Sequence, residues 1–564
     1  MAGVANHCIS RFSDIDSRKL SSSPSPSPTI FAKHSVHFSN HKYKELSSLS
    51  MNGCQVDDPR APIGTIETKT FPMAPTPGLA ADRLNSAIYD LKSNPSQLES
   101  GIIRLEVPIQ QHIEALDWLR SQNNPLLPHT YFSGRESNVV YENVNNSSND
   151  HQEKLVSVAG FGSAVSFRHL NAFSLSDWHS IRRFLSKTSP LIRAYGGMRF
   201  DARANISSEW KDFGSFYFMV PQVEFDEFEG CSMIAATVAW DNRLSTTYEQ
   251  AVAALEATMW QLSPVINLNN NASTPAVLLD QTHVPNQISW DSAVNQALNM
   301  IRSKDSALNK VVLARSSRVL TNVEIDPLMW LESLQAEGKN SYQFCLQPPE
   351  APAFIGNTPE RLFSRDGLLV SSDALAATRA RGATEALDLQ LGQDLLSSPK
   401  DHHEFAVVRE SIRRKLEGIC SSTIVEPNKA LRKLPRVQHL YAKLTGTLHR
   451  EDDEFKILSS LHPTPAVCGQ PTEEARVFIT ETESFDRGMY AGPVGWFGGA
   501  ESEFAVGIRS ALVGKDIGAI LYAGTGIVEG SKSAMEWKEL ELKTSQFTKL
   551  MKREEPVMAT NGDH

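Results

Sequence analysis

The alternation of apolar and polar positions makes the chain strand-rich from about residue 100 onward. Ile102 to Val107, Leu155 to Phe167, Ser215 to Val223 and Met233 to Trp240 are short β-branched or aromatic runs bounded by Gly, Asp and Asn, the pattern of strands. Between and after them, Asp177 to Leu185, Thr247 to Leu262 and Ser289 to Arg302 space their apolar residues as helices do, the last with Asp291 in its first turn. The strands cluster rather than alternate strictly with helices, and no fixed-period repeat occurs. This predicts an α+β fold of mostly antiparallel sheets with helices on the outside.

Two helices of the C-terminal half carry acids on their apolar faces. Ala534 to Lys552 lacks Gly and Pro, and at about 100° per residue Glu536, Glu539 and Lys543 share one arc with Leu540 and Phe547. In Lys400 to Gly418, Glu404 lies among Val407, Val408 and Ile412, with Asp401 one turn earlier. An inward carboxylate is costly unless a cation meets it. One such acid suggests an ordinary ion pair; several on two helices suggest a hard cation held by oxygen, Mg2+ before Ca2+.

Composition narrows the setting. A net charge of −10 argues against a nucleic-acid partner, and no apolar run approaches the roughly 20 residues of a membrane helix, so no membrane partner is expected. Six cysteines without metal-ligand spacing read as reduced and structural. The first fifty residues stand apart, with thirteen serines, six basic residues and only three acids. That is the composition of an organelle transit peptide, assigned to residues 1–45 and implying a plastid (chloroplast stroma). Pro- and Thr-rich residues 46–90 then read as a flexible linker, 91–285 as an N-terminal β-rich part, 286–552 as a C-terminal catalytic part and 553–564 as a polar tail.

Other groups are weaker alone. Lys310 opens the apolar run Lys310 to Arg315, where a lysine ordinarily snorkels to water. Glu360 follows the turn Gly356 to Pro359, and Ala523-Gly524-Thr525-Gly526 follows an apolar strand whose amides could bind a carboxylate. His462 sits in a Pro-bracketed loop that could hold an imidazole toward a ligand or simply in the framework.

Together the stretches KVVLAR (310–315), TPERLFS (358–364), ATRARG (377–382), SSPKDHHEF (397–405), LHPTPAVCG (461–469), DRGMYAGPVGW (486–496), IRSAL (508–512), YAGTGIVEGS (522–531) and EWKELELK (536–543) resemble the chorismate-utilising enzymes, in that family's order. The family includes anthranilate, aminodeoxychorismate, salicylate and isochorismate synthases. The resemblance implies a two-layered core of large antiparallel sheets and a Mg2+ ion between enzyme and the ring carboxylate of chorismate. It implies Glu404 and Glu539 as direct ligands, with Asp401 and Glu536 behind them. Tyr490, Arg509, Lys543 and the amides of Gly524 and Gly526 are implied as the carboxylate-binding set, with Ala377, Thr378 and His462 as further substrate contacts.

By the same resemblance Lys310 is a base for water and Glu360 an acid for the leaving hydroxyl, so that water adds at C2 of chorismate while the C4 hydroxyl departs. Ammonia-using relatives generally carry Gln at the position of Lys310, so no glutaminase subunit is expected. The lysine nucleophile of aminodeoxychorismate synthases is replaced by Ala376, and Ala374 and Ala377 stand where Pro and Gly are usual. The alternatives are a salicylate-forming enzyme that also eliminates pyruvate and a silent chorismate-binding regulatory subunit. In a plant plastid the product would feed salicylate and phylloquinone.

Overall fold

In the computed structural model the described residues are 50–54, 58–122, 124–135, 154–263, 276–335, 341–427 and 429–553. The expected transit peptide, and the tail from residue 554, lie outside them. The strand runs read from the sequence all form, with longer bounds: Ser100–Ile109, Leu155–His169, Phe216–Phe228 and Ser232–Asp241. Their ladders are antiparallel, Ser100–Ile109 with Ser232–Asp241, that strand with Phe216–Phe228, and Phe216–Phe228 with Leu155–His169. Neighbouring residues on Ser100–Ile109 face two different cores. Ile102 joins one with Phe167, Trp210, Phe218 and Phe504. Ile103, Leu105 and Val107 join the other, packed with Leu84, Ile88, Trp118 and Leu255 from helices on the outer face. The mixed architecture and the largely antiparallel sheet are as expected. Among the described residues no helix is long and apolar enough to cross a membrane.

The linker expected over 46–90 is overturned. Ile66–Thr70 is a strand paired in parallel with residues 102–106, and Pro77–Ser93 is a 17-residue helix. Thr76 caps it, accepting from the Leu79 amide, and Pro77 occupies the first turn, where its missing N–H costs nothing. Ala80, Leu84, Ala87, Ile88 and Leu91 supply a helical apolar stripe that is buried. Of the prolines that suggested a linker, Pro77 opens a helix.

The two halves share ladders. His129–Ser133 pairs with Tyr342–Gln347, Ala194–Met198 with Pro493–Phe497, and Val277–Val284 with the strand that begins at Lys310. The site-bearing elements of the C-terminal half are β1 (Lys310–Thr321), β2 (Ala353–Thr358), β3 (Arg361–Asp366), β4 (Leu369–Ala380), β5 (Val437–Leu448) and β6 (Gly518–Ile527). Two helices pack against them, α1 (Pro399–Glu417) and α2 (Ser533–Thr548). β1 pairs with β6 and β4 with β5, all antiparallel.

Candidate active site

One cavity collects most of the residues singled out in the sequence. Glu360, Ala377, Thr378, Glu404, Tyr490, Arg509, Gly524, Gly526, Glu539 and Lys543 all line it. β1 and β6 form its floor. The Val312 amide donates to Cys468 and the Ala314 amide to Glu483, so their pairs with Gly526 and Gly524 are not cross-bonded. The amides of both glycines therefore turn toward the edge of β6, which its other neighbour, Ser510–Gly514, leaves open beyond Tyr522. The glycines themselves permit the closest approaches. A methyl on Gly526 would lie 2.5 Å from Glu404 Oε1 and 2.9 Å from Lys310 Cε, and one on Gly524 would lie 2.8 Å from the Tyr490 hydroxyl.

Lys310 does not snorkel. It is fully buried at the start of β1, and its Nζ is 3.2 Å from Glu404 Oε1. Glu360 is also buried, and its Oε1 finds no hydrogen-bond partner within the protein. Burial and then the neighbouring Asp373 charge push the Glu360 carboxyl up to about 8, against the opposing pull of Lys310 and Lys543. It therefore holds a proton at neutral pH. Burial pushes Glu539 up too, but Lys543, 2.6 Å away, together with Lys400 and the Thr525 hydroxyl outweighs it, and the carboxyl ends below its ordinary value. Burial lowers the Arg509 guanidinium to about 10, which leaves it a cation.

The four inward acids of the two helices each meet a basic side chain. Glu404 faces Lys310, Glu539 faces Lys543, Glu536 takes Lys400 at 2.9 Å and the Thr525 hydroxyl at 2.7 Å, and Asp401 takes Arg379. Only Glu404 and Glu539 reach the cavity lining. No group of three His, Cys, Asp or Glu among the described residues could hold a metal alone. Two half-buried carboxylates from facing helices nonetheless suit Mg2+, which takes one or two carboxylates and completes its octahedron with water and substrate oxygen.

Ala377 lines the cavity at φ +58°, in the left-handed region, where the ladder between β4 and β5 shifts register. The angle that glycine would favour is thus retained with an alanine. His462 is misplaced by the sequence reading. Its Nε2 lies 3.2 and 3.1 Å from the carbonyls of Arg199 and Phe200, which requires it to donate, and it does not line the cavity. It anchors the loop whose later residues, Ala466 and Val467, do line it. The imidazole in the cavity is His439 on β5, which the sequence reading missed. Its Nδ1 is 3.2 Å from Thr378 Oγ1, and its buried Nε2 has no partner within the protein. Burial, then the Arg509 and Lys543 charges, hold it well below the usual histidine range, so it is neutral.

A hollow lined by a protonated carboxyl, two helix carboxylates, a lysine and an arginine, with the buried Lys310 against one of those carboxylates, fits a small polyanion that undergoes proton transfer. The chain belongs to the chorismate-binding enzyme family, whose model matches residues 89–552. It is 58% identical over 580 residues to the chloroplastic isochorismate synthase of Catharanthus roseus, covering 99% of this chain and all of that one. It is 57% identical to the chloroplastic isochorismate synthase 2 of Arabidopsis thaliana, covering 95% of each. The menaquinone-specific isochorismate synthase of Escherichia coli superposes with a TM-score of 0.67 at 25% identity, over 83% of this chain and all of that one.

Proposed function

We propose that this chain is a chloroplast enzyme that converts chorismate reversibly to isochorismate, with Lys310 as the base, Glu360 as the acid and Mg2+ as the cofactor. The observation that carries the roles is a buried, protonated carboxyl lining the cavity and a buried lysine whose Nζ lies 3.2 Å from Glu404, which lines the same cavity. The near-full-length identity to two chloroplastic isochorismate synthases supports the substrate and the compartment.

Lys310 acts in its free-amine form, taking a proton from water as the water oxygen bonds to C2 and becoming an ammonium. The ring double bonds shift, the C4–O bond breaks, and Glu360 gives its proton to the departing hydroxyl, which leaves as water. Proton and charge balance across the two groups, and no amine donor or glutaminase subunit is needed. Arg509, the Tyr490 hydroxyl, Lys543 and the outward amides of Gly524 and Gly526 offer donors for the two substrate carboxylates. His439 presents its free Nε2 to the ring, and Thr378 fixes the orientation of that imidazole. Glu404 and Glu539 are the residues that would hold Mg2+, with Asp401 and Glu536 ordering the lysine and arginine partners behind them. When bound, the ion supplies positive charge to the ring carboxylate as electrons move through the ring.

Purified protein given chorismate and Mg2+ tests this by product analysis. Isochorismate should accumulate to an equilibrium mixture without ammonium, chelator should abolish the reaction, and Mg2+ should restore it. Stoichiometric pyruvate would instead identify a salicylate-forming enzyme, and no turnover would identify a binding subunit. The product would serve enzymes that make salicylate and phylloquinone.

A further inference from the structure

The turn that carries Glu360 is held from three sides. The Glu360 amide donates to Thr358 Oγ1, its carbonyl accepts from the Val506 amide, and the carbonyl just before it, on Pro359, accepts from Arg135 at 3.0 Å. Arg135 follows the strand His129–Ser133 and so belongs to the N-terminal half, outside every motif that carries the family resemblance. The same Nη1 donates at 2.6 Å to Asp373 on β4. Asp373 is buried and also accepts from Arg432 at 3.3 Å and from the Tyr441 hydroxyl at 3.3 Å.

We propose that Arg135 and Asp373 are positioning residues for Glu360, the guanidinium clamping the turn that presents it and the carboxylate standing behind it as a fixed negative neighbour. The proposal rests on the reading of Glu360 as the acid. Neither residue itself lines the cavity, although Arg135 holds Pro359, which does. A carboxylate beside a second carboxyl disfavours its ionisation, so Asp373 helps Glu360 keep its proton. Asp373 can serve this way only while it is itself ionised. Burial works against that, but Arg135, Arg361 and Arg432 together outweigh it and hold its carboxyl below the ordinary range. The other charged groups facing Glu360 are Lys310 from β1 and Lys543 from α2, which pull the opposite way, with the Tyr490 hydroxyl nearby. The arrangement is a division of labour. The arginines secure one carboxylate as an anion, and that anion secures the other as an acid.

The test uses the full chain and measures kcat and KM for chorismate across the neutral and alkaline range, with chorismate binding and thermal melting measured separately. Glu360→Gln sets the baseline by cutting turnover about 10²–10⁴-fold. Asp373→Asn should move the alkaline limb of kcat/KM toward neutral by about one pH unit, whereas Asp373→Glu, which keeps the charge, should leave it in place. Arg135→Met should lower kcat about tenfold with little change in KM, and Arg135→Lys, whose ammonium can still bridge Pro359 and Asp373, should recover most of it. A structural role alone would lower melting temperature and activity in all four variants without moving the limb. If Glu360→Gln is inactive but Asp373→Asn keeps the parent pH profile, the positioning role is overturned and the acid stands. If Asp373→Asn does not fold, equal kcat in the Met and Lys variants at position 135 overturns it. An active Glu360→Gln removes the acid assignment and this proposal with it.

Discussion

Replacing Gly526 with alanine isolates the active site from the fold. The added methyl would sit 2.5 Å from Glu404 Oε1, and ordinary contact begins at 3.4 Å, so that oxygen must retreat by about 0.9 Å. Lys310 Cε, at 2.9 Å, must give by about half an ångström. Both atoms are at the far ends of side chains and no left-handed angle is involved, so the backbone can stay, and the overpacking cost should be about 1–3 kcal/mol or less. Catalysis is less forgiving, since a displacement of about 1 Å in a reacting group costs on the order of 10²-fold, or about 2.7 kcal/mol of barrier. Gly526→Ala should therefore fold, melt within a few degrees of the parent, turn over chorismate about a hundredfold more slowly and need more Mg2+ for half-maximal rate. Initial rates of isochorismate formation against Mg2+ concentration, beside a thermal melt, measure all of these. A variant within about threefold of the parent rate, with the same Mg2+ dependence, would refute the claim that Lys310 and Glu404 work at this spacing.

Lys310→Gln and Glu360→Gln should each lose about 10²–10⁴-fold in kcat with chorismate binding retained. Under the proposed acid role of Glu360, whose carboxyl burial pushes up to about 8, the parent rate should hold below that pH and fall as pH rises through it; an activity plateau well into the alkaline range would contradict the assignment. A chain beginning at residue 95 loses the helix Pro77–Ser93 and the strand before it, and with them burial worth roughly 1.5–3 kcal/mol for each of Leu84, Ile88 and Leu91; it should be insoluble or melt far lower than a chain beginning at Ser50. His462→Ala should lower the melting temperature, because it abandons two buried carbonyls at about 1–3 kcal/mol, and leave KM for chorismate nearly unchanged, whereas His439→Ala should raise KM with little effect on melting.

The helix carboxylates were legible because the helical repeat is local: Glu404 and Glu539 can be placed on an inward stripe from seven residues on either side. Lys310 and Glu360 were legible only through the resemblance, since burial of a strand-opening lysine depends on what covers it. His439 was not. It lies in an ordinary alternating strand, and only the register shift against β4 at Ala376 and Thr378 brings it beside the cavity. His462 drew attention because its Pro-rich loop looks purposeful, yet the purpose is to hold the loop. Arg135 and Asp373 are separated by more than two hundred positions, and neither has a local pattern that marks it. The linker expectation fails from the same root in reverse, for a proline that opens a helix and one that prevents it look alike in a local composition.

The ladders shared between the halves have a consequence for how the molecule is made. Ser133 cannot find its partner until Gln343 is present, nor Gly197 until Val494 is. A ribosome, or a membrane pore passing the chain N-terminus first, thus releases several hundred residues of strand-rich polypeptide before two of its sheet edges can close. Pairings of such sequence separation form slowly, and open edges recruit other strands in the meantime. The N-terminal half therefore keeps two sheet edges open until the last strands arrive, and that interval is when it is most exposed to aggregation.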